Sequence, residues 1–187
     1  MKRSAAARLV FATLIAASAT ARADIDGDSF QREQWGWRVS LTSPKNWIPS
    51  EDRSYPSIVL WMVRRDPPGR ILLSAEQLDE VADAPAYAKK TAALLEKIGF
   101  SVRAPQLHSQ TGAYWIDFDN GKVYLRQAFL VVGGIGYVLT LSASSSRVRG
   151  QHLRAFDGAL RSIKIKRTLE TPATEPEDET RDAGPTP

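Results

Sequence analysis

Apolar and polar side chains alternate in three consecutive runs between residues 112 and 142, and a glycine-containing turn separates each run from the next. Period-two alternation is typical of strands with one buried face, because successive side chains point to opposite sides of a sheet. Asn120-Gly121 and Gly133-Gly134 stand at the two turns. Such pairs favour two-residue hairpins of type I′, which need a positive φ at both central residues. The pattern therefore predicts a meander of three antiparallel strands.

The alternation also divides the side chains of the meander between its two faces. Trp115 and Asp117 share one face of the first strand, and apolar side chains fill the other. That apolar face is predicted to consist of Tyr114, Ile116, Phe118, Val123, Leu125, Phe129 and Val131.

Strand patterns also precede the meander. Residues 35–41 alternate large apolar with polar or small residues, whereas residues 57–63 and 71–74 are rich in β-branched and long apolar side chains. The Asp-Pro-Pro-Gly sequence at residues 66–69 is typical of a tight turn, so these last two segments are predicted to form a hairpin. Residues 100–107 have a weaker strand pattern.

Helical spacing occurs in two places. Asp83 is a capping residue, and Gly99 suits the left-handed position that ends a helix. The apolar stripe predicted between them to pack on the sheet consists of Tyr87, Thr91, Leu94, Leu95 and Ile98. A second helix follows the small and cap-forming residues 143–146, and its stripe consists of Leu153, Phe156, Leu160 and Ile163.

These elements predict an α+β fold, in which an antiparallel β-sheet with a meander is flanked by two main helices. Residues 35–167 are long enough for one domain with a sizeable core. We expect the polar residues 24–34 to form a flexible N-terminal segment.

Residues 1–23 have the pattern of a secretory signal peptide. Lys2 and Arg3 provide a positive start, residues 9–17 are mainly apolar, and a small-x-small sequence ends at Ala23. The apolar stretch is shorter than the ~20 residues that a membrane-spanning helix needs. We therefore expect cleavage after Ala23, a periplasmic or secreted location, and no stable membrane anchor. The chain has no cysteine, which excludes disulfides and thiol catalysis.

Charge is unevenly distributed along the chain. The leader holds four basic residues and no acidic one, so the mature chain has 21 of each sign, which gives no support for a nucleic-acid partner. Residues 24–167 have 20 basic and 15 acidic residues, a net charge of +5. Residues 168–187 have six acidic residues against Arg181, are rich in Thr and Pro, and are predicted to be disordered. One hypothesis is that this tail screens the basic second helix from anionic partners.

Few side chains suit catalysis or metal binding. His108 is interpreted as a turn residue and His152 as a helix-surface or boundary residue, since neither stands in a metal-ligand spacing. Asp117 and Asp119 could form a carboxylate pair, but exposed positions beside a turn, with Lys122 as counter-charge, are the favoured interpretation. We expect no catalytic residue, no metal site and no cofactor.

The candidate interaction residues are mostly arginines. Arg64 and Arg65 lie at the tip of the predicted hairpin, with Arg70 beside it, and further arginines lie on the outer surface of the second helix. Solvated surface charge is the competing interpretation. Trp35 and Trp37 could form a carbohydrate platform, although core packing is favoured. The expected interaction residues are Trp47, Arg64, Arg65, Arg70, Arg147 and Arg154.

The order of these elements resembles the PsbP-like superfamily, which includes the extrinsic photosystem II protein, DcrB-type envelope proteins and a Ran-release factor. The resemblance covers residues 35–165 and depends on residues 39–47, which end in Ser-Pro-Lys-Asn-Trp, on the strands around residues 127–140, and on residues 156–163. It implies an α/β/α sandwich and an accessory or binding role without a shared active site. No catalytic residue is carried over.

Two functions from different classes follow. The favoured one is an exported, non-enzymatic accessory domain that binds another envelope or secreted protein through the loop at residues 50–54, the arginine-tipped hairpin or a sheet face. The alternative is a small-ligand binder or enzyme with a pocket near Trp47, Trp61 and Asp117.

Overall fold

The computed structural model describes residues 24–50, 57–78 and 83–168. The expected signal peptide, most of the loop at residues 50–54 and nearly all of the acidic tail lie outside these ranges. The elements in chain order are β1 Asp24–Asp26, β2 Ser29–Gln34, β3 Trp37–Thr42, β4 Ile48–Ser50, β5 Ile58–Arg64, β6 Gly69–Gln77, α1 Ala84–Lys97, β7 Ser101–Val102, β8 Gln106–Leu107, β9 Tyr114–Asp119, β10 Tyr124–Val132, β11 Ile135–Ala143, α2 Ser146–Ser162 and β12 Lys164–Arg167.

The larger sheet confirms the predicted α+β class. Its strand order is β4-β5-β6-β11-β10-β9-β7, all neighbours are antiparallel, and β8 also pairs with β9. The meander is β9-β10-β11, and the predicted hairpin is β5-β6. Residues 100–107, predicted as one weak strand, instead form the two short strands β7 and β8 along the edge of β9.

The two turns of the meander differ from one another. Val132 pairs with Ile135, so Gly133 and Gly134 form the predicted two-residue turn, with φ values of +59° and +77°. At the other turn Asp119 pairs with Tyr124, which leaves a four-residue loop at residues 120–123.

The type I′ prediction for Asn120-Gly121 is therefore wrong, since only Gly121 of the pair has a positive φ. The Asn120 side-chain oxygen accepts hydrogen bonds from the amides of Lys122 and Val123, each at 3.1 Å. This side chain supplies the loop with bonds that a shorter hairpin would make through its backbone. Val123, predicted on the buried face, consequently lies in the loop.

A second sheet, missed from the sequence, has the order β1-β2-β3-β12. Residues 24–34, expected to be flexible, form its first two strands, because Phe30 pairs with Leu41 and is fully buried in the core. The first predicted strand, residues 35–41, begins at Trp37 in the structure, two residues later than predicted. Trp35 lies in the preceding turn at φ +52° and is exposed, so it forms no strand platform with Trp37.

Helix α1 has the predicted ends, but it turns a different face toward the sheet. Asp83 accepts a hydrogen bond from the Ala86 amide, and Gly99 has a φ of +91°. The fully covered positions are Ala88 and Ala92, whereas Leu94 is 54% exposed. The small alanines lie where the helix meets β9 and β10, so the larger apolar stripe is rotated to one side of the contact.

Helix α2 closes the opposite side of the larger sheet. Ser145 caps its start, and its apolar stripe packs between the two sheets with Phe156 and Leu160 buried, as predicted. The smaller sheet and α2 together cover this face, since Phe30, Val39 and Leu41 join the same core cluster. No helix in the described ranges has the length and apolar character needed to cross a membrane.

The turn at Gly133 packs against Trp37 of the smaller sheet, and the effect of this contact on stability can be tested. A Cβ at Gly133 would lie 2.2 Å from the Trp37 ring, whereas a Cβ at Gly134 would meet no atom within 4 Å. Both glycines have positive φ, so alanine costs about 1–2 kcal/mol of backbone strain at either position. We expect Gly133→Ala to lower the free energy of unfolding by about 1–3 kcal/mol more than Gly134→Ala, because the indole must move.

Urea unfolding of the two variants measures this difference directly. Equal losses would show that Trp37 is not packed against the turn.

Candidate functional site

One face of the larger sheet is only partly covered by the described elements. Helix α1 packs on it mainly over β9, β10 and β7, and β4 and β5 lie outside that main contact. Ile48 pairs with Val63 and Val63 with Arg70, so these three side chains form one row on the uncovered part. Ile48 is 58% exposed and Val63 37%. Two large apolar side chains on the neighbouring strands β4 and β5 thus face outward at this end of the sheet.

Trp61 and Leu72 form the next row of the same face and are half-buried. The guanidinium of Arg70 lies 5.9 Å from the centroid of the Trp61 ring, close enough for a cation–π contact. We call Ile48, Trp61, Val63, Arg70 and the adjacent exposed Arg65 the hairpin patch. It combines apolar, aromatic and arginine side chains.

The six expected interaction residues do not form one site. Arg65 and Arg70 lie in the hairpin patch, and Arg64 is held at the turn by a 2.8 Å bond from its Nε to the Asp66 carbonyl. Arg147 and Arg154 are exposed on α2, which lies against the other face of the sheet.

Trp47, one of the six expected interaction residues, is only 2% exposed and offers no contact surface. Its ring packs in the core against His152, because the chain folds back after the Ser-Pro break.

The alternative pocket near Trp47, Trp61 and Asp117 is not brought together. Trp61 lies on the α1 side of β5, whereas Asp117 lies on the other side of β9, with three strands between β5 and β9. Trp47 belongs to the core beneath α2. Alternation along a strand could not reveal this separation, since it depends on the order of strands in the sheet.

Asp117 is 3% exposed, which contradicts the expected open position beside a turn. Its two carboxylate oxygens accept bonds of 2.8 and 2.9 Å from Arg126, its cross-strand partner, and Arg149 of α2 lies 3.3 Å away. Arg126 also stacks 3.8 Å from the Trp115 ring centroid. The counter-charges are therefore two arginines, not Lys122, and Arg149 does not belong to the outer surface of α2.

His152, expected at the helix surface or its boundary, is fully buried beneath the β5-β6 turn. Its ring stands edge-on to Trp47 at 5.1 Å, and a Cβ at Gly69 would lie 2.6 Å from it. Burial lowers the pKa of His152, and the charge of Arg64 adds to this effect. The carbonyls of Pro67 and Pro68 oppose it, but neither ring nitrogen has a hydrogen bond of ordinary geometry, so burial dominates.

His108 lies in a turn, as predicted, with its Nδ1 2.9 Å from the Thr111 hydroxyl. Across residues 24–50, 57–78 and 83–168, no three His, Cys, Asp or Glu side chains gather as a metal site.

A cleft of about 560 Å³ lies between α1 and the sheet, beside the covered part of the face. Tyr87 projects from α1 into it and donates a hydrogen bond to the Glu76 carboxylate of β6. Burial and this carboxylate both raise the pKa of Tyr87, so the phenol stays protonated. Of the apolar stripe predicted to pack on the sheet, Tyr87 and Leu95 do pack against the core, whereas Thr91 and Leu94 supply the wall of this cleft.

No family model and no curated protein match the chain. Among solved structures, it is similar to cyanobacterial PsbP (CyanoP) from Synechocystis sp. PCC 6803, with 11% identity and a TM-score of 0.48. The match covers 76% of this chain and 98% of that one. It is also similar to the Ran-binding protein Mog1p of Saccharomyces cerevisiae, with 9% identity, coverage of 78% and 96%, and a TM-score of 0.39.

A protein from Bacteroides thetaiotaomicron matches at 15% identity and a TM-score of 0.38 over 69% of this chain, which spans 45% of that protein. All three TM-scores lie below 0.5.

The Asp117 cluster predicts a large loss of stability on substitution. We expect Asp117→Ala to lower the free energy of unfolding by about 3–5 kcal/mol, because it leaves two largely buried arginines without their carboxylate. Asp119→Ala is the control, since this half-buried carboxylate accepts a 3.2 Å bond from the Gly121 amide and should cost only about 1 kcal/mol. Chemical denaturation compares the two variants. Similar losses would argue against the buried cluster.

His152 predicts a pH dependence of stability. Its pKa in the folded protein is lower than the value of 6.5 for an unperturbed histidine, so below that pH the unfolded chain binds a proton that the folded protein excludes. Stability should therefore be retained above pH 6.5 and decrease as the pH falls below it, with a slope of up to about 1.4 kcal/mol per pH unit.

Unfolding free energies of the wild type and His152→Gln between pH 7.5 and 5 test this, with His108→Gln as control. Parallel curves for the wild type and His152→Gln would contradict it.

Proposed function

We propose that this protein is an exported, non-enzymatic accessory domain that binds another protein of the cell envelope through the hairpin patch. The observation that carries the proposal is the row of Ile48 and Val63, which faces outward beside Arg70 on the uncovered part of the sheet. Exposed apolar groups of this kind mark interaction sites more often than lone surface residues do.

The composition of the hairpin patch indicates the chemistry of the partner. Trp61 and Arg70 are residue types enriched at the energetic centres of protein interfaces, and their cation–π contact holds both in place before binding. Arg65 and Arg70 add positive charge at the border of the apolar row. A partner segment with apolar side chains flanked by carboxylates would complement both features.

Export is supported by the N-terminal sequence. Residues 1–23 combine a positive start, a short apolar run and a small-x-small exit, the pattern that directs secretion. The absence of cysteine leaves the domain dependent on its core, and the cluster between the sheets supplies one. The proposed location is therefore the periplasm or the exterior of the cell.

The arginines of α2 form a separate group, and the experiment must distinguish the two surfaces. A photo-crosslinking amino acid placed at Val63 of the full chain, expressed with its leader in the cell that produces it, reports contacts of the hairpin patch. The same amino acid at Arg154 reports contacts of α2. We expect a discrete protein adduct from Val63, recovered in the exported fraction, and none from Arg154.

The partner recovered in this way allows an affinity test. Arg70→Glu should weaken its binding by about 30-fold or more, because the change removes the contact to Trp61 and reverses the charge beside the apolar row. Arg154→Glu, the same charge change on the other side of the protein, should leave the affinity unchanged. Adducts only from Arg154, or equal effects of the two variants, would overturn the assignment to the hairpin patch. Recovery of the adduct in the cytoplasm would overturn export.

A further inference from the structure

The cleft beside α1 carries two opposite charges that do not pair with each other. Glu76 lines it from β6, and Lys90 lines it from α1. Both residues are exposed, and the ion pairs of the structure do not join them. The Glu76 carboxylate accepts a hydrogen bond from the Tyr87 hydroxyl instead. The cleft thus presents a carboxylate held by Tyr87 and, separately, an ammonium.

Polar and apolar side chains both line the cleft around these charges. Phe129 and Val138 form the floor from neighbouring strands, and Tyr87 stands edge-on to Phe129 with 5.1 Å between the ring centroids. Leu94 extends the wall along α1 and is more than half exposed. When a ligand covers a large apolar side chain that is exposed at the mouth of a cleft, the free energy of the complex is lowered.

The periodicity of α1 explains why this wall exists. The helix contacts the sheet through Ala88, Ala92 and the ring of Tyr87, so Thr91 and Leu94 are left beside the contact and line the cleft. An amphipathic helix normally buries its largest apolar residues against its own domain. Here Ala88 and Ala92 are the buried positions, Tyr87 and Leu95 pack beside them, and Leu94 remains exposed at the cleft.

We propose that this cleft binds a small zwitterion with an apolar body, of the class of an apolar amino acid or a short peptide with free ends. Its ammonium would pair with Glu76, its carboxylate with Lys90, and its apolar part would lie against Tyr87 and Leu94. An anion without an ammonium would be repelled by Glu76, and a cation without a carboxylate would leave Lys90 unpaired. The volume of about 560 Å³ lies within the ordinary range for small-ligand sites.

This site is distinct from the hairpin patch, since none of the five residues of the patch lines the cleft. The proposal therefore does not depend on the proposed protein partner, and either can fail without the other.

The test measures binding of leucyl-leucine to the full chain by calorimetry, together with two capped forms of the same dipeptide. The N-acetyl form lacks the ammonium, and the C-terminal amide lacks the carboxylate. We expect the free dipeptide to bind at least 10-fold more tightly than either capped form.

Charge-neutral variants then assign each end of the ligand. Lys90→Gln should weaken binding of the free dipeptide about 10-fold and leave binding of the amide unchanged, and Glu76→Gln should do the same with respect to the N-acetyl form. Lys89→Gln is the matched control, because Lys89 is also exposed on α1 but does not line the cleft. Thermal unfolding of each variant verifies that the fold is retained.

Three results would overturn the proposal. One is the absence of binding at millimolar dipeptide. A second is equal affinity for the free and capped forms, and a third is a loss in Lys89→Gln as large as that in Lys90→Gln.

Discussion

A sheet can expose neither face fully without losing much of the hydrophobic free energy that holds it together, and this constraint organises the protein. One face of the larger sheet is covered by α2 and by the smaller sheet, which share a single core cluster with it. The other face is covered by α1 over β9 and β10, where a second cluster forms. The remaining part of that face lies beside α1, and the hairpin patch and the cleft both lie there.

The well-covered side has a different character, because polar groups are enclosed within it. Asp117 is neutralised by Arg126 and Arg149, which come from a neighbouring strand and from α2. His152 is buried beneath the hairpin turn against Gly69 and Trp47. Apart from the Asp117–Arg126 pair on adjacent strands, these contacts connect elements far apart in sequence. These contacts hold α2 and the β5-β6 turn in place. Because the turn is held, Arg65 and Arg70 have a defined position on the opposite side.

Several features could be predicted from sequence because their cause is local. The caps of both helices, the Gly133-Gly134 turn and the alternation of β9 to β11 arise from bonds and periodicities within a few neighbouring residues. The hairpin at residues 66–69 and the class of fold follow from the same kind of signal. Predictions were wrong where one side chain competes with a local rule, as at Asn120, whose amide oxygen bonds to the loop backbone and lengthens the turn.

The sequence by itself therefore determined the class of fold, the position of the meander and both helices, and the location of arginines at one hairpin tip. Only the tertiary structure decided that Phe30 and residues 24–34 belong to a second sheet, that Ala88 and Ala92 are the contact face of α1, and that Asp117 and His152 are buried. Periodicity states which side chains share a face, but strand order and the approach of a helix decide what covers that face. The candidate sites depend on this covering, and for that reason they became visible only in the folded protein.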